Sequence, residues 1–278
     1  MLLFFLACTP PKKEVSETEL ELQGELQILS YNVHGLPAAI TGDDTPARIA
    51  ELSTMLNDFP LVALQEDWDA ENHQVILDNT AHPYDDYFDE KIEDDKQYGA
   101  GLTFLSALEF LDVQGTHYLE CNGYLDGASD CFASKGFQFI ELPLNAEQSI
   151  HIYNTHLEAG GGDEDNAARD TQITQLLEAF AANSSDTPMI FLGDTNLHYD
   201  DPADAPLLNR LTDAGLEEVC PLVDCPEPNW IDKIFIRSSS SVTLTALEWK
   251  HEAEFVDAEG VALSDHPAVS AQIYWQIQ

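Results

Sequence analysis

The chain has 278 residues and is 44% apolar, enough for one domain with a sizeable core or for two small ones. Its 51 Asp and Glu against 11 Lys and Arg give a formal net charge of -40, a surface that repels polyanions and lacks the basic stripe of a nucleic-acid binder. Solubility in a salty medium accounts for this acidity without any basic partner, and bound divalent cations would offset part of the repulsion.

In chain order, "MLLFFLACTPPKKEVSETELELQGE" comes first. Leu2–Ala7 is apolar and Cys8 follows Ala7. This resembles the end of a bacterial lipoprotein signal, in which a cysteine after a small residue is lipidated. The run is short for a signal core, and no Lys or Arg precedes it. The expected division is an export signal over 1–8, a flexible charged tether over 9–25 and a folded domain over 26–278. Lys12 and Lys13, two of the few lysines, fall in the tether. No other segment is long and apolar enough to span a membrane. The expected location is outside the cytoplasm, as a bacterial envelope lipoprotein (membrane contact then runs through Cys8) or as a secreted protein.

From Leu26 onward there is no internal repeat and no second linker. "LQILSYNV" (Leu26–Val33) reads as a strand, "ARIAELSTMLNDF" (Ala47–Phe59) as a helix by its apolar spacing, and "LVALQE" (Leu61–Glu66) as a buried strand. "GAGLTFLS" (Gly99–Ser106), "GFQFIELPL" (Gly136–Leu144) and "SIHIYNTHL" (Ser149–Leu157) are further strands. "NAARDTQITQLLEAFAAN" (Asn166–Asn183) is an amphipathic helix, preceded by a glycine- and acid-rich loop whose acids suit a helix N-terminus. "PMIFLGD", "WIDKIFIRS" and "AVSAQIYW" close the series of strands. Many strands with few helices predict an α+β sandwich, two sheets face to face with helices outside.

Four cysteines remain, in two close pairs. In an exported protein Cys121–Cys131 and Cys220–Cys225 are expected as local disulfides, although four cysteines allow three connectivities. A zinc site is the alternative; the spacings fit it poorly.

The polar residues gather where apolar runs stop. Asn32 follows "ILSY", Glu66 follows "LVALQ", His156 follows "IYNT", and Asp194 and Asn196 follow "IFLG". Asp232 lies inside "WIDKIFI", and Asp265 and His266 sit in "LSDHPAV" before the last strand. A turn closing a strand accounts for any one of these alone. Together they describe a polar pit on one edge of a sandwich. Carboxylate oxygens suit a hard divalent cation, and two imidazoles suit phosphate oxygens.

The ordered set "YNVHGLP", "LQE", "NTHLE", "GDTN", "IDKI" and "SDHP" resembles the endonuclease/exonuclease/phosphatase superfamily, with the deoxyribonuclease-I-like fold. The likeness covers nearly the whole chain after the tether. Each motif alone is weak; their order is specific. The resemblance implies a four-layer α/β-sandwich of two mixed sheets and hydrolysis of phosphoesters with Mg²⁺, or with Mn²⁺, Co²⁺ or Ca²⁺. It implies Glu66 and Asn32 at the metal, with Asp265 as a second metal-side or acid position. His156 would contact the scissile phosphate, and Asp194 and Asn196 would position and deprotonate the attacking water. His266 would stabilise the transition state, oriented by Asp232.

One local feature bears on substrate. Sphingomyelinases of the superfamily carry an Asp followed five residues later by Lys-Gly beside the active site; Asp130, Lys135 and Gly136 in "DCFASKGF" fit that spacing, which implies Asp130 and Lys135 as substrate-binding residues, Lys135 neutralising the substrate phosphate or pairing with Asp130, with a surface turn as the alternative. "QEDWD" is similar to their Glu-x-Phe-Asp segment. Across Ser239–Leu263, where secreted sphingomyelinases have an apolar hairpin tip, no exposed aromatic pair is evident. The resemblance thus implies a monomeric phosphodiesterase acting on a choline-phosphate or related small or lipid phosphodiester. A secreted nuclease, disfavoured by charge, and a catalytically silent binding protein are the alternatives. His34 is left open between a ligand or substrate contact and a loop residue, and His198 between the pocket rim and the surface.

Overall fold

The computed structural model describes residues 21–93, 96–124 and 130–278. The expected signal segment with Cys8, and the expected tether as far as residue 20, lie outside the described residues. The elements are β1 (Gln23–Asn32), α1 (Ala38–Thr41), α2 (Thr45–Met55), β2 (Leu61–Gln65), α3 (Ala70–Asn79), β3 (Tyr84–Phe88), β4 (Leu102–Ser106), β5 (Leu111–His117), β6 (Gly136–Pro143), β7 (Ser149–His156), α4 (Asp163–Asn183), β8 (Met189–Asp194), α5 (Ala205–Asp213), β9 (Glu217–Glu218), α6 (Val219–Leu222), β10 (Asp232–Arg237), β11 (Val242–His251) and β12 (Val269–Ile277).

They form two six-stranded sheets, ordered β11-β12-β1-β2-β4-β3 and β5-β6-β7-β8-β10-β9. Both sheets are mixed. Each holds one parallel pair, β1–β2 in the first and β7–β8 in the second, among antiparallel neighbours. Central strands are buried on both faces, which is why they read as unbroken apolar runs. Alternate side chains serve different layers. In β2, Leu61 and Ala63 enter the core between the sheets, while Val62 and Leu64 pack outward with Ile49 and Leu52 of α2 and Ile76 of α3. In β8, Ile190 and Leu192 face the intersheet core, while Met189 and Phe191 pack outward with Ile173, Leu176 and Phe180 of α4. The result is the expected sandwich of four layers, helices outside.

β1 begins at Gln23, inside the segment expected as tether, because residues from Gln23 to Ser30 pair with β12. The strands that the sequence concealed are edge strands. β3 reads "YDDYF", β5 is almost wholly exposed, and both lie at sheet edges. An edge strand is made by ladder hydrogen bonds to one neighbour, so it needs no apolar run. Helix α4 starts at Asp163, so its three acids occupy the first turn and complement the positive end of the helix. Trp249 and Phe255, in the segment compared with an apolar hairpin tip, are buried. Cys121–Cys131 and Cys220–Cys225 are both disulfide-bonded.

Candidate active site

The two parallel pairs end at the same edge of the sandwich. Asn32 is paired with Gln65 at the end of β1–β2, and Glu66 follows directly. His156 is paired with Asp194 at the end of β7–β8, and Asp194 in turn with Asp232 of β10. Beneath these ends the sheets are joined by buried amides. Gln65 Nε2 donates to Asn154 Oδ1 at 2.8 Å, and Asn154 Nδ2 donates to the Leu64 carbonyl at 2.9 Å. The register of one sheet is thereby tied to that of the other at the level of the site.

Asn32 links the two halves. Its amide nitrogen donates to Glu66 Oε1 and to Asp194 Oδ2, each at 3.0 Å. His156 Nε2 lies 3.5 Å from Asp194 Oδ2 and 3.9 Å from Glu66 Oε1. His266 Nε2 approaches Asp194 Oδ2 from another side at 3.7 Å, while its Nδ1 donates to Asp232 Oδ2 at 2.7 Å. Asn196 accepts nothing from this set: its backbone N–H donates to Asp194 Oδ1 and its side-chain amide to the Leu157 carbonyl. The structure therefore brings Asn32, Glu66, His156, Asp194, Asn196, Asp232 and His266 into one pit. Asp265 stands at its rim, 60% exposed, with His34 Nδ1 3.5 Å from Asp265 and 3.6 Å from Glu66. His34 thus belongs to the site, and His198 is exposed outside it.

Several groups that the motifs do not reveal hold these residues. Arg48 of α2 donates to the carbonyls of Val33, His34 and Leu263, fastening the loop after β1 to the loop that carries Asp265 and His266. Ser264 Oγ donates to the Asn32 carbonyl at 2.7 Å. Trp230 Nε1 donates to the same Asp232 oxygen that holds His266. The neighbouring "NWIDKI" places Trp230 two residues before Asp232, the one sequence signal for this contact. His34, Glu66 and Asn196 have left-handed backbone with φ of 48°, 59° and 51°, and such conformations in non-glycine residues concentrate at functional sites.

Gly193 in "GDTN" is required by close approach. Its φ is +134°, and a Cβ there would sit 2.0 Å from the Thr155 carbonyl of β7. Gly193→Ala should lower stability by at least about 2 kcal/mol, measured as a fall in the urea midpoint; an unchanged midpoint would show that β7 and β8 can separate here without cost.

The electrostatics divide the titratable groups by role. Burial works to raise the Glu66 carboxyl, but hydrogen bonds from His34 and Asn32 and the nearby His156 and Lys135 hold it well below the usual range, so it is ionised. Burial, then the Asp232 charge, raises Asp194. Burial, then the Lys135 cation, pushes His156 far down, so it is neutral. His266 goes the other way: burial opposes its charge, but the Asp232 hydrogen bond and the charges of Asp232, Asp194 and Asp265 raise it to about 10.

Lys135 and Asp130 line the groove that opens from this pit. Lys135 Nζ lies 2.7 Å from Asp130 Oδ1 and donates to His156 Nε2 at 3.0 Å and to the Leu157 carbonyl at 2.9 Å. All three of its donors are engaged within the protein. It acts on His156 directly, which the spacing in "DCFASKGF" does not reveal.

Donor atoms of Glu66, His156 and Asp194 all lie within 4.8 Å of one another, as do those of Asp194, Asp232 and His266. The first set, with an ionised carboxylate and Asn32 beside it, is oxygen-rich and fits a hard divalent cation.

A four-layer sandwich with this constellation at the ends of its central strands defines a phosphoesterase class. The chain belongs to the endonuclease/exonuclease/phosphatase family, whose model matches residues 29–266. It is 29% identical over 266 residues to a sphingomyelinase of Mycobacterium bovis, covering 89% of this chain and 52% of that protein, so it spans about half the length of the curated relative. Sphingomyelinase C from Streptomyces griseocarneus has the same fold with a TM-score of 0.67 at 18% identity, covering 90% of this chain and 99% of the other. Beta toxin from Staphylococcus aureus with bound magnesium ions also matches, with a TM-score of 0.67 at 14% identity over 89% of this chain and 99% of the other. No helix among the described residues is long and apolar enough to cross a membrane.

Proposed function

We propose that this phosphodiester hydrolase is sphingomyelinase-like, cleaving a choline-phosphate or related lipid phosphodiester on the phosphate side, with Mg²⁺ or a similar ion as cofactor. One observation carries the reading: Asn32 bonds both Glu66 and Asp194, and His156 and His266 converge on the same Asp194 oxygen. The likeness to the mycobacterial sphingomyelinase supports the substrate class.

In this reading Glu66, with Asn32 beside it, holds the divalent cation, and Asp265 supports the metal side from the rim through His34. The bound cation supplies neutralisation of phosphate charge. Asp194, in its ionised form, takes the proton of the attacking water, and Asn196 orients that water. Substrate binding would displace the Lys135 contact and shift the proton of neutral His156 from Nδ1 to Nε2, so that Nε2–H donates to a phosphate oxygen. His266 enters as a cation and stabilises the charge that builds on phosphorus-bound oxygens. Asp232 fixes its orientation and favours its charged form. Asp130 positions Lys135, and burial together with the Lys135 charge keeps His156 neutral. The protein works outside the cytoplasm as a monomer, tethered or secreted; its two disulfides suit an oxidising compartment.

The test is a substrate panel of sphingomyelin, lysophospholipids, inositol phosphates, DNA and RNA, with Mg²⁺ and with chelator. Metal-dependent release of phosphocholine is the expected result. Cleavage of DNA or RNA without phosphocholine release would replace this reading by a nuclease, against the acidic surface. Glu66→Gln should raise the Mg²⁺ concentration for half-maximal rate by at least about 10-fold, and an unchanged metal dependence would move the cation away from Glu66.

A further inference from the structure

The groove outside the pit has a volume of about 550 Å³ and is lined by three aromatic residues, Trp68, Tyr98 and Phe132. Trp68 follows Glu66 by two residues. Its ring lies 6.0 Å from the His156 ring and 6.1 Å from the Tyr98 ring. Gly101 allows this placement: its φ is +62°, and a Cβ there would sit 2.3 Å from Trp68 Cε3. Tyr98 and Phe132 come from two segments joined by backbone hydrogen bonds, with Gln97 N–H and Tyr98 N–H both donating to the Phe132 carbonyl. The second segment is pinned by the Cys121–Cys131 disulfide and by Lys96 Nζ, which donates to the Cys131 carbonyl at 2.9 Å.

The charge of the groove is one-sided. Lys135 is the one cation lining the groove among the described residues, and Asp130 neutralises it. The carboxylate of Asp69 acts on the Tyr98 hydroxyl from nearby, and the chain as a whole carries -40. A second anionic group on the substrate is repelled here; a cation is drawn in. Aromatic faces add attraction for a weakly hydrated cation. The lining carboxylates are already hydrogen-bonded, Glu66 to Asn32 and Asp130 to Lys135 and the Ala159 N–H. A quaternary ammonium has no N–H to satisfy, so the aromatic faces and the negative field hold it without an acceptor from this lining.

We propose that Trp68, Tyr98 and Phe132 form a subsite for a quaternary ammonium, one short spacer away from the phosphate held at His156. This rests on the phosphodiesterase reading and assigns residues for recognising the small, polar side of the diester.

The test compares two chromogenic diesters on the full chain with Mg²⁺: p-nitrophenyl phosphocholine and its uncharged carbon isostere, p-nitrophenyl 3,3-dimethylbutyl phosphate. The expected kcat/KM ratio is roughly 10-fold in favour of the cation. It should fall towards one in Tyr98→Leu and Phe132→Leu and persist in Tyr98→Phe. Because the ratio is taken within one preparation, loss of folded protein cancels. Trp68 is left unchanged, since it packs beside His156. Hydrolysis of both diesters by the wild type without preference overturns this inference and leaves the phosphodiesterase standing; hydrolysis of neither overturns both. A preference that survives in both leucine variants overturns the residues assigned. Sphingomyelin and phosphatidylcholine micelles present the same head on different lipids, and phosphocholine release from either supports the subsite.

Discussion

Asp194→Ala and His266→Ala should each reduce metal-stimulated phosphodiester hydrolysis by about 10²–10⁴-fold, the range for loss of a positioned base or of a charge-stabilising donor. Asp194 is the meeting point of the site: Asn32, His156, His266 and the Asn196 N–H all lie against its two oxygens. Stability should not follow activity. Asp194 is buried beside Asp232, and both burial and that charge favour its neutral form. Asp194→Asn keeps the volume and removes a charge that the fold accommodates poorly, so its melting temperature should hold or rise while activity collapses. Wild-type activity in both alanine variants would remove Asp194 and His266 from the chemistry. The double variant should lose little more than the worse single one, because both act on one transition state.

Asp232→Asn should change the pH profile more than the rate at its optimum. His266 is raised from 6.5 to about 10, chiefly by its hydrogen bond to Asp232 and by that carboxylate's charge, against burial. If the imidazolium is the working form, activity persists upward until pH passes about 10. Without the Asp232 charge the alkaline limb should move down towards 6.5. At pH 8 the deficit would reach up to about 30-fold, and at pH 6 it should be small. A loss equal at every pH would mean that Asp232 only orients the ring. The same pair bears on stability. Its folded pKa lies above the unfolded one, so its contribution is complete below about 6.5 and disappears as pH rises through about 10. Unfolding in the variant should therefore lose the part of its pH dependence between about 6.5 and 10 that His266 supplies.

Much of this site was legible because it is built from strand ends. "LVALQE", "SIHIYNTHL" and "PMIFLGD" each state in one line an apolar strand and the polar residue it delivers. Central strands advertise themselves, since both faces are buried and nearly every residue must be apolar. The edge strands β3, β5 and β11 do not. Their polar residues are held by a single ladder and half-facing water, so pairing decides them rather than composition. The contacts of Arg48, Ser264 and Trp230 were equally silent, because each depends on a partner supplied by another part of the chain. The spacing from Asp130 points to Lys135, yet its hold on His156 requires β6 and β7 to lie side by side.

By itself the sequence determined the chemical inventory at each strand end, the apolar layers and the order of the motifs, all of which are local or periodic properties of the chain. Only the tertiary structure decided protonation and partnership: Glu66 ionised, Asp194 raised, His156 neutral, His266 charged. Those states depend on burial and on charges brought together from segments as far apart as Asn32 and His266, and Coulomb energy depends on distance in space, on which position along the chain is silent.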